Sequence, residues 1–560
     1  MARGNRDGNQ QPPTDWVTRA ADEAIRHAGG AEAVAAGAQV TCASGASPSG
    51  PVHLGNLREF LTVHFVADEL RRRGVNVRHL HSWDDYDRFR KVPAGVPAEW
   101  AEHIGRPLSA VPDPWGCHDS WATHFKAPLQ AALAEMGVEM VEVSQTEQYR
   151  AGTYREQVLH AVKHRRELDA VLEKYRTKKG DAETADEEAE QAPEDLSRFP
   201  YKPYCRSCGR DTVDITSYDE TTTDLAYTCR ECGESHVTNV ATEDEGKLVW
   251  KIDWPMRWAF EGVDFEPGGA DHATPGSSYT VGKEVAPHFG AVAPSFVAYG
   301  FVGFAGMQKM SSSAGGVPTA TDALRVLEPA ILRWLYVRRA PKQTFDIDFG
   351  PEVVRLYDEW DALAKKATDP AKRDVAVLAY ERAAATAVAP LPTSAVQVPF
   401  RTLSSVADVT AGADTLISEV IGHVGFPHES VADLQPRLAK AMQWTAEFVP
   451  AEERTTVRES ADVERLAALS EQERQWLDLL LSNLPDDLTQ ESATTVVYGV
   501  PKLARGFSLE EKPNDEVKAD QKAFFKLLYN LLVDADRGPR LPTLVVALGS
   551  DKLRSLLNVS

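Results

Sequence analysis

The sequence predicts an α/β fold with a parallel sheet, followed by a mostly α-helical C-terminal region. A β-rich run at 39–44 leads through a loop rich in glycine and proline into an amphipathic run at 57–73, and another β-rich run follows at 75–81. A strand, a helix and a strand in this order favour a right-handed parallel crossover. From about residue 351 the apolar residues recur with helical periodicity instead.

The composition is that of an ordinary globular protein. The chain has 560 residues, of which 43% are hydrophobic and 26% are charged, and this length fits roughly three or four domains. It contains no apolar run of the ~18 residues that a membrane span needs, and its polar start lacks the apolar segment of a secretory signal. We therefore expect a cytoplasmic protein with no membrane partner. The net charge of −22 disfavours general nucleic-acid binding but allows a local basic face.

The first helical segments follow from periodicity and punctuation. Residues 1–15 are predicted to be a disordered tail, and an alanine-rich helix is predicted at about 16–36. Leu57, Leu61 and Phe65 then fall on one face of the next helix, which Gly74 ends.

Further along, a long helical segment is predicted at about 152–177. The acidic run 180–193 that follows is predicted to be a solvated loop. In the C-terminal region, Ser470 and Glu473 form a capping box. A helical stripe of apolar residues is also predicted there, at Phe524, Leu528, Leu531 and Leu532.

The loop after the first strand has the composition of an anion site. The stretch Ser44-Gly-Ala-Ser-Pro-Ser-Gly-Pro-Val-His-Leu-Gly-Asn56 leads into a helix N-terminus, whose free N–H groups and dipole attract an anion. His53 and Asn56 are predicted to donate hydrogen bonds to phosphate oxygens, while Pro48 and Pro51 stiffen the loop. Taken alone, the stretch fits a plain connecting loop equally well.

A second stretch, Gly306-Met-Gln-Lys-Met-Ser-Ser-Ser-Ala-Gly-Gly316, combines one lysine with three serines between glycines. A mobile loop rich in donors suits a polyphosphate on which charge develops. Lys309 would supply the positive charge. The alternative is an ordinary polar loop.

Four cysteines have the spacing of a metal site. Cys205-x-x-Cys208 and Cys229-x-x-Cys232 supply four thiolates, which suit a closed, tetrahedral structural zinc site in a module at about 200–240. A redox pair, the alternative, needs only one such motif. Because the cysteine thiols must lose their protons to bind the metal, metal binding and folding of this module would be coupled.

A second group of metal-ligand types lies closer to the N-terminus. Asp113, Cys117, His118 and His124 supply oxygen, sulphur and two nitrogens within twelve residues, and all are acceptable zinc ligands. A chance cluster is as good an interpretation from the residues alone, and Asp119 is a rival carboxylate.

A cluster of aspartates follows the second predicted strand at Asp84, Asp85 and Asp87. Open α/β sheets bind ligands at the carboxyl ends of their strands, where carboxylates suit a cationic substrate. Equally, these aspartates could form a solvated turn paired with Arg88 and Arg90.

The two loop motifs together resemble the signature motifs of class I aminoacyl-tRNA synthetases. The resemblance implies a Rossmann-type catalytic domain in which His53, Asn56 and Lys309 hold the phosphates of ATP. Two positions depart from the common pattern: Asn56 replaces a histidine but keeps a donor, and Ser312 replaces a lysine, which leaves Lys309 as the main cation of its loop. The implied ATP site comprises Pro48, Ser49, Gly50, His53, Gly55, Asn56, Lys309, Met310, Ser311, Ser312 and Ser313.

From about 40 to 350, and more loosely to the end, the chain resembles class I lysyl-tRNA synthetases. The resemblance rests on the two motifs, on 83–93, 251–258 and 266–272, and on 524–529 with 537–540. The positions matching lysine contacts are Gly45, Ser47, Trp250, His272 and Tyr299. Asp84 and Asp253 are added as candidates for the counter-charge of the lysine ammonium. Without the resemblance, Trp250 and Tyr299 are better interpreted as core aromatics. Relatives also carry a zinc at positions like those of the Asp113 group.

The resemblance implies ATP-dependent formation of lysyl-adenylate, with Mg²⁺ on the phosphates, and transfer of lysine to tRNA(Lys), first at the 2′-hydroxyl. The protein is expected to be a monomer that contains Zn²⁺. The implied domains are a catalytic domain at 16–350, with a zinc-bearing insertion at 95–240, a helical connection at 351–400 and an anticodon-binding domain at 401–560. That last domain would read UUU or CUU, with Trp444, Phe448, Trp476 and Arg540 as possible contributors and the two tryptophans favoured as core.

Three alternatives remain open. The chain could be a class I synthetase for another amino acid such as glutamate, which would want a cationic side-chain pocket. It could be a plain nucleotidyltransferase, which would need neither the serine-rich loop nor the helical region. It could also be a non-catalytic zinc-ribbon RNA-binding paralogue.

Overall fold

A computed structural model describes residues 14–175, 195–307, 310, 316–485 and 488–558. Most of the predicted tail and the acidic run 180–193 lie outside these residues. Asp15, placed in the tail by the sequence analysis, is instead the N-cap of the first helix: its carboxylate accepts the Thr18 N–H at 2.8 Å and pairs with Arg382 at 2.7 Å. No helix of the described residues is long and apolar enough to cross a membrane.

The chain divides into two compact units. The first comprises 1–322, 332–347 and 366–391, and the second comprises 323–331, 348–365 and 392–560. The first contains all the strands of the described residues. These are β1 Val40–Ala46, β2 Val77–Trp83, β3 Val141–Ser144, β4 Tyr201–Pro203, β5 Val213–Tyr218, β6 Asp224–Cys229, β7 Ser235–Asn239, β8 Gly246–Leu248, β9 Phe265–Gly269, β10 Ser295–Tyr299, β11 Val302–Phe304 and β12 Phe345–Ile347.

Twenty-one α-helices lie within the described residues. They are α1 Trp16–His27, α2 Gly30–Ala35, α3 Leu54–Arg72, α4 Trp121–Glu135, α5 Gln145–Arg150, α6 Arg155–Lys163, α7 Arg165–Glu173, α8 Trp250–Glu261, α9 Ser278–Val285, α10 Ala320–Val326, α11 Pro329–Val337, α12 Glu352–Ala367, α13 Val375–Ala384, α14 Phe400–Val409, α15 Asp414–His423, α16 Arg437–Phe448, α17 Val463–Ala467, α18 Glu471–Asn483, α19 Gln490–Ala504, α20 Asp515–Val533 and α21 Leu541–Leu557.

A five-stranded parallel sheet in the order β10-β9-β1-β2-β3 is the centre of the first unit. The predicted parallel crossover is therefore confirmed, with Gly45 of β1 opposite Ser82 of β2. The first five residues of β1 are buried without alternation, as expected for a strand covered on both faces. Leu57, Leu61 and Phe65 of α3 are all buried, so the predicted face of that helix is confirmed.

Two predicted helices are each divided in the structure. The segment predicted at 16–36 forms α1 and α2, separated where Gly29 and Gly30 adopt φ of 96° and 90°, which a continuous right-handed helix cannot contain. The segment predicted at 152–177 forms α6 and α7, which meet at His164.

The cysteine-rich part of the first unit is a small antiparallel module. Strands β5, β6 and β7 form a three-stranded sheet, and β4 pairs with β8 beside it. Residues of β6 alternate between buried and half-buried, as in a sheet with one face on a core. That core is thin, since only Val213 and Tyr227 join the cysteines in it.

The second unit is helical, as predicted for the C-terminal region. The capping box is confirmed: Glu473 N–H donates to Ser470 Oγ, and Ser470 N–H donates to the Glu473 carboxylate at 2.9 Å. The predicted stripe on α20 is also confirmed, because Phe524, Leu528, Leu531 and Leu532 are all fully buried. Trp444 and Trp476 are buried core residues, and Phe448 is half-buried.

Candidate functional site

The order of the central sheet creates a crevice at the carboxyl ends of β1 and β9. Strands β1, β2 and β3 progress toward one edge, whereas β9 and β10 lie on the other side of β1. The chain connections that follow β1 and β9 therefore run toward opposite edges of the sheet. Open α/β sheets bind ligands at such a point. Gly45, Asp84, His272 and Tyr299 all lie at or just beyond this edge of the sheet.

The first motif forms the turn from β1 into α3. His53 is the N-cap of α3, and its Nδ1 accepts the Gly55 N–H at 3.0 Å. Partial burial lowers the pKa of His53, so the ring is neutral near pH 7. With Nδ1 accepting, the proton resides on Nε2, which is free to donate to a ligand. His53 therefore lies at the start of the helix, and its role toward phosphate stays a prediction.

Gly55 allows the His53 ring to lie against the backbone. A Cβ at position 55 would lie 2.8 Å from His53 Cε1 and 3.4 Å from the terminal methyl of Met310. Met310, the one described residue of the Lys309–Ser313 motif, therefore lies against the first motif at Gly55.

The residues after the second loop return to the same place. Leu54 N–H donates to the Pro318 carbonyl at 3.0 Å, and His53 forms an isolated bridge with Thr319. Lys309, Ser311, Ser312 and Ser313 lie outside the described residues. Met310, which lies within that loop, and its C-terminal flank nevertheless lie against the first motif.

The remaining first-motif residues divide by exposure. Ser49 and Asn56 are exposed, whereas Pro48 and Gly50 are buried in the turn. Behind them, the buried Arg58 guanidinium donates to the carbonyls of Gly300 at 3.1 Å and Gln343 at 2.7 Å. This arginine ties the motif helix to the segment that follows β10.

A cleft of about 400 Å³ opens beside this turn. Three of the sequence-predicted lysine contacts line it: Ser47, Asp84 and Trp250. The other charged groups of its wall are Asp87, Arg88, Arg90, Lys202, Asp211 and Lys247.

The two predicted counter-charges, Asp84 and Asp253, share one arginine. Arg257 lies 3.0 Å from Asp84 and 3.2 Å from Asp253, and all three side chains are buried. Burial raises the pKa of Asp84 to about 6, although Arg257 opposes the rise. Nearby, Lys247 bonds to Asp87 at 2.7 Å. The charge of each aspartate is therefore already opposed by a basic side chain of the protein.

The sequence analysis missed Glu59, one turn after the first motif on α3. This side chain is 8% exposed, and none of the described Lys, Arg or His side chains forms an ion pair with it. Burial raises its pKa to about 8, while the Tyr299 hydroxyl and the Gly45 backbone favour its charged form and nearby Glu266 opposes it. The sequence contains one indication of this residue: Arg58 and Glu59 are charged within the apolar run Leu57–Phe65. A charged side chain in a buried helix needs a partner.

The other lysine positions surround this carboxylate or the cleft. Tyr299 ends β10 and is half-buried, and Gly45 lies near the end of β1. Trp250 begins α8 and donates from its indole to Ser278 Oγ at 3.0 Å. His272 lies in a short turn after β9, with its ring centroid 5.7 Å from that of Trp254 in an edge-on arrangement.

The four cysteines of the small module converge. Their Sγ atoms all lie within 4.8 Å of one another, with 3.6 Å between Cys205 and Cys232 and between Cys208 and Cys229. A tetrahedral zinc with sulphur ligands at about 2.3 Å requires separations of about 3.8 Å. The donor set and its spacing therefore fit zinc.

The second set also converges, at the start of α4. Asp113, Cys117, His118 and His124 bring their ligand atoms within 4.8 Å of one another. Both histidines present Nδ1, at 3.1 Å and 3.3 Å from Cys117 Sγ, and Asp113 Oδ2 lies 3.2 Å from that sulphur. Asp119, the rival carboxylate, is exposed and outside the cluster. These N, O and S donors also fit zinc.

Known proteins resemble this chain along most of its length. The family model described as tRNA synthetases class I (K) matches residues 14–386. A lysine–tRNA ligase of Streptomyces coelicolor is 51% identical over 571 residues, covering 97% of this chain and 98% of that protein. A lysine–tRNA ligase of Thermococcus kodakarensis is 34% identical over 554 residues, covering 96% and 98%.

Among solved structures, a glutamate tRNA ligase from Elizabethkingia meningosepticum in complex with its amino acid aligns at 14% identity. Its TM-score is 0.43, and the alignment covers 92% of this chain and 98% of that one. The family model covers more than half of the chain, and the two ligases align along nearly all of it. This chain therefore belongs to the family of tRNA synthetases class I (K).

Proposed function

We infer that the chain catalyses the lysine–tRNA ligase reaction, in which lysine is activated with ATP and transferred to the 3′-terminal adenosine of tRNA(Lys). The observation that carries this inference is the meeting of the two loop motifs at Gly55, beside a buried carboxylate that no described cation neutralises. The first feature suits a triphosphate, and the second suits the ammonium of lysine.

In the first step, a carboxylate oxygen of lysine attacks the α-phosphorus of ATP. The bond from that phosphorus to the bridging oxygen breaks, and pyrophosphate leaves with the electron pair. Because the carboxylate is already a nucleophile, no general base is required. The protein's contribution is alignment of the two substrates and stabilisation of charge on the phosphates.

The first motif would supply neutral donors to the phosphates. His53 would donate from Nε2, and the exposed Asn56 would donate from its amide at the N-terminus of α3. Lys309 and the serines of the second loop would add charge and hydroxyl donors. ATP would enter as its magnesium complex, with the metal carried by the phosphate oxygens.

Glu59 would oppose the lysine ammonium. Asp84 and Asp253 already share Arg257, whereas Glu59 faces Gly45 and Tyr299, two positions matched to lysine contacts. The Trp250 and His272 rings would enclose the aliphatic stem. A glutamate substrate would need a buried cation where this site presents a carboxylate.

In the second step, the 2′-hydroxyl of the terminal ribose attacks the lysyl carbonyl and AMP leaves. The cleft is lined on one side by Arg88, Arg90 and Lys202, and these cations would suit the terminal phosphates of the tRNA. Residues 401–560 would bind the anticodon. We also propose a monomer that acts in the cytoplasm, where tRNA is charged.

The two clusters would hold structural zinc. The Cys205 quartet would organise a module whose own core is thin, because a closed zinc site supplies folding free energy. The Asp113 quartet would fix the start of α4.

The test is ATP–pyrophosphate exchange with each of the twenty amino acids, with and without tRNA(Lys). We expect exchange with lysine only, and charging of tRNA(Lys) with lysine. The Lys309→Ala variant should lose most of the exchange. Exchange driven by another amino acid, or by none in either arm, would contradict the inference.

A further inference from the structure

Three tryptophans form a ladder along α8. Trp250, Trp254 and Trp258 are spaced by four residues and therefore share one helical face. The rings of Trp250 and Trp254 are stacked, with centroids 5.3 Å apart and planes 12° apart, and those of Trp254 and Trp258 lie 4.8 Å apart. Trp250 reaches the cleft, while Trp254 and Trp258 are buried.

One carboxylate of the sheet holds the two inner rings of the ladder. Glu266 in β9 is 5% exposed. Its Oε1 accepts the Trp254 indole N–H at 2.9 Å, and its Oε2 accepts the Trp258 indole N–H at 2.6 Å. Glu266 is paired in register with Phe296 of β10. The acceptors are therefore fixed by the sheet. Burial raises the pKa of Glu266 to about 7, while both indole bonds favour its charged form.

The middle ring connects this carboxylate to the amino-acid side of the site. Trp254 stacks on Trp250, and its ring centroid lies 5.7 Å from that of His272 in an edge-on arrangement. Both neighbours are sequence-predicted lysine contacts. Trp258 makes its other ring contacts with different residues: it contacts Tyr279, and a Cβ at Gly282 would lie 2.6 Å from its ring. It also lines a small cavity with Gly45 and Trp250. Among the described residues it makes no ring contact with Trp250 or His272.

We propose that Glu266 is a positioning residue for amino-acid binding, acting through Trp254 to hold Trp250 and His272 in the arrangement that receives the substrate. The proposal rests on the proposed function of this site and adds to it a role for two residues that do not reach the cleft. Glu266 fixes the plane of the Trp254 indole, and that plane sets the positions of the rings on either side of it.

The two indole bonds provide a matched pair of variants. Trp254→Phe and Trp258→Phe each remove one N–H donor to the same carboxylate from the same helix, and each keeps an aromatic ring. We expect Trp254→Phe to raise the KM for lysine about tenfold, as the loss of one bond to a charged group predicts, with kcat changed less than twofold. Trp258→Phe should change the lysine KM less than twofold, although both variants lower the Tm by similar amounts.

Glu266→Gln tests the carboxylate itself. The amide keeps one acceptor and turns an N–H₂ group toward the other indole, so we expect a lysine KM at least as high as in Trp254→Phe. The KM for ATP should stay within twofold of wild type in all three variants, because no described residue from Pro48 to Asn56 hydrogen-bonds to the three tryptophans or stacks on them. Lysine binding measured by calorimetry on the full chain should show the same order of affinities.

Two results would overturn the proposal. Equal lysine KM values in Trp254→Phe and Trp258→Phe would show that the carboxylate only stabilises the fold, and an unchanged KM in Glu266→Gln with an intact Tm would remove its role. Failure of the proposed function is distinguishable, because it would appear first in wild type as exchange driven by another amino acid. The same variants would then be compared by the KM for that amino acid.

Discussion

The two sides of the candidate site are built in different ways. The nucleotide side consists of one continuous turn, from Ser47 to Asn56, that meets a single second loop at Gly55. The described donors of its first motif are neutral and partly exposed, and the predicted cation, Lys309, lies outside the described residues. The amino-acid side draws Gly45, Glu59, Trp250, His272 and Tyr299 from five separate elements, and its central carboxylate is buried. ATP carries its own negative charge and can be bound by backbone N–H groups and neutral donors. The lysine ammonium instead requires a negatively charged side chain that is buried in the fold.

Glu59→Gln gives the largest expected effect and tests whether the two sides are separate. Loss of a buried carboxylate that faces a bound ammonium should lower kcat/KM for lysine by about two to three orders of magnitude, because removing one partner of a buried ion pair costs about 3–5 kcal/mol. The KM for ATP should stay within twofold of wild type. Pyrophosphate exchange with each substrate varied in turn measures both values, and an equal change in the two would contradict the separation.

Gly55→Ala and Gly45→Ala should affect different substrates, ATP and lysine respectively. The Cβ at position 55 would meet the His53 ring at 2.8 Å, and should raise the KM for ATP by about ten- to a hundredfold through loss of a donor to a charged phosphate. A Cβ at position 45 has its nearest neighbour at 3.7 Å, so the chain should fold and only the lysine KM should rise. The same exchange assay separates the two. A lysine defect in Gly55→Ala as large as its ATP defect would contradict the assignment.

The pH dependence should differ between the two substrates. Glu59 has a pKa of about 8 when folded and an ordinary value of 4.5, so lysine binding must release a proton below pH 8. The lysine KM should therefore fall by up to about tenfold per unit as pH rises from 6 to 8 and level off above it. The ATP KM should show a smaller slope, because burial lowers the pKa of His53 and so favours its neutral ring. The slope should be absent in Glu59→Gln.

The raised pKa of Glu59 should also make the stability of the fold depend on pH. Below pH 4.5 Glu59 is protonated in both the folded and the unfolded chain, and between 4.5 and about 8 only the unfolded chain loses the proton. Its contribution to the free energy of unfolding is therefore complete at low pH and is lost as pH rises to 8. Urea unfolding of wild type and Glu59→Gln across this range gives the difference, and a difference that grows in the opposite direction would contradict the assignment.

Disrupting either metal cluster should give the smallest effect, and each cluster should affect the KM of one substrate more than that of the other. Lys202 and Asp211 of the Cys205 module line the cleft, whereas α4 after the Asp113 cluster lines a cavity of about 170 Å³ with Pro51, Val52 and Thr319. Cys205→Ser should remove one zinc per chain and change mainly the lysine KM. Cys117→Ser should remove the other zinc and change mainly the ATP KM, each by a few-fold. Metal analysis and exchange kinetics measure these changes, and loss of both zincs in either variant would contradict independent sites.

Local patterns predicted much of this molecule. The crossover, the buried face of α3, the capping box at Ser470 and the apolar stripe of α20 all depend on residues within a few turns of one another. The four cysteines were predicted for the same reason, since their spacing alone brings two pairs together. The breaks at Gly29 and His164 were missed because helical periodicity continues through them.

The sequence by itself determined the class of fold, the two loop motifs and both sets of metal-ligand residues, because each is a short pattern with a local physical meaning. Only the tertiary structure decided that Asp84 and Asp253 share Arg257, and that Glu59 forms no ion pair with another described residue. Asp84 and Asp253 were the candidates from the sequence, but Arg257 lies between them. Glu59 could be identified only from the folded chain, in which α3 packs against β1 and β10. Whether a charge is available to a ligand depends on the neighbours that folding brings to it, and these neighbours are far away in the sequence.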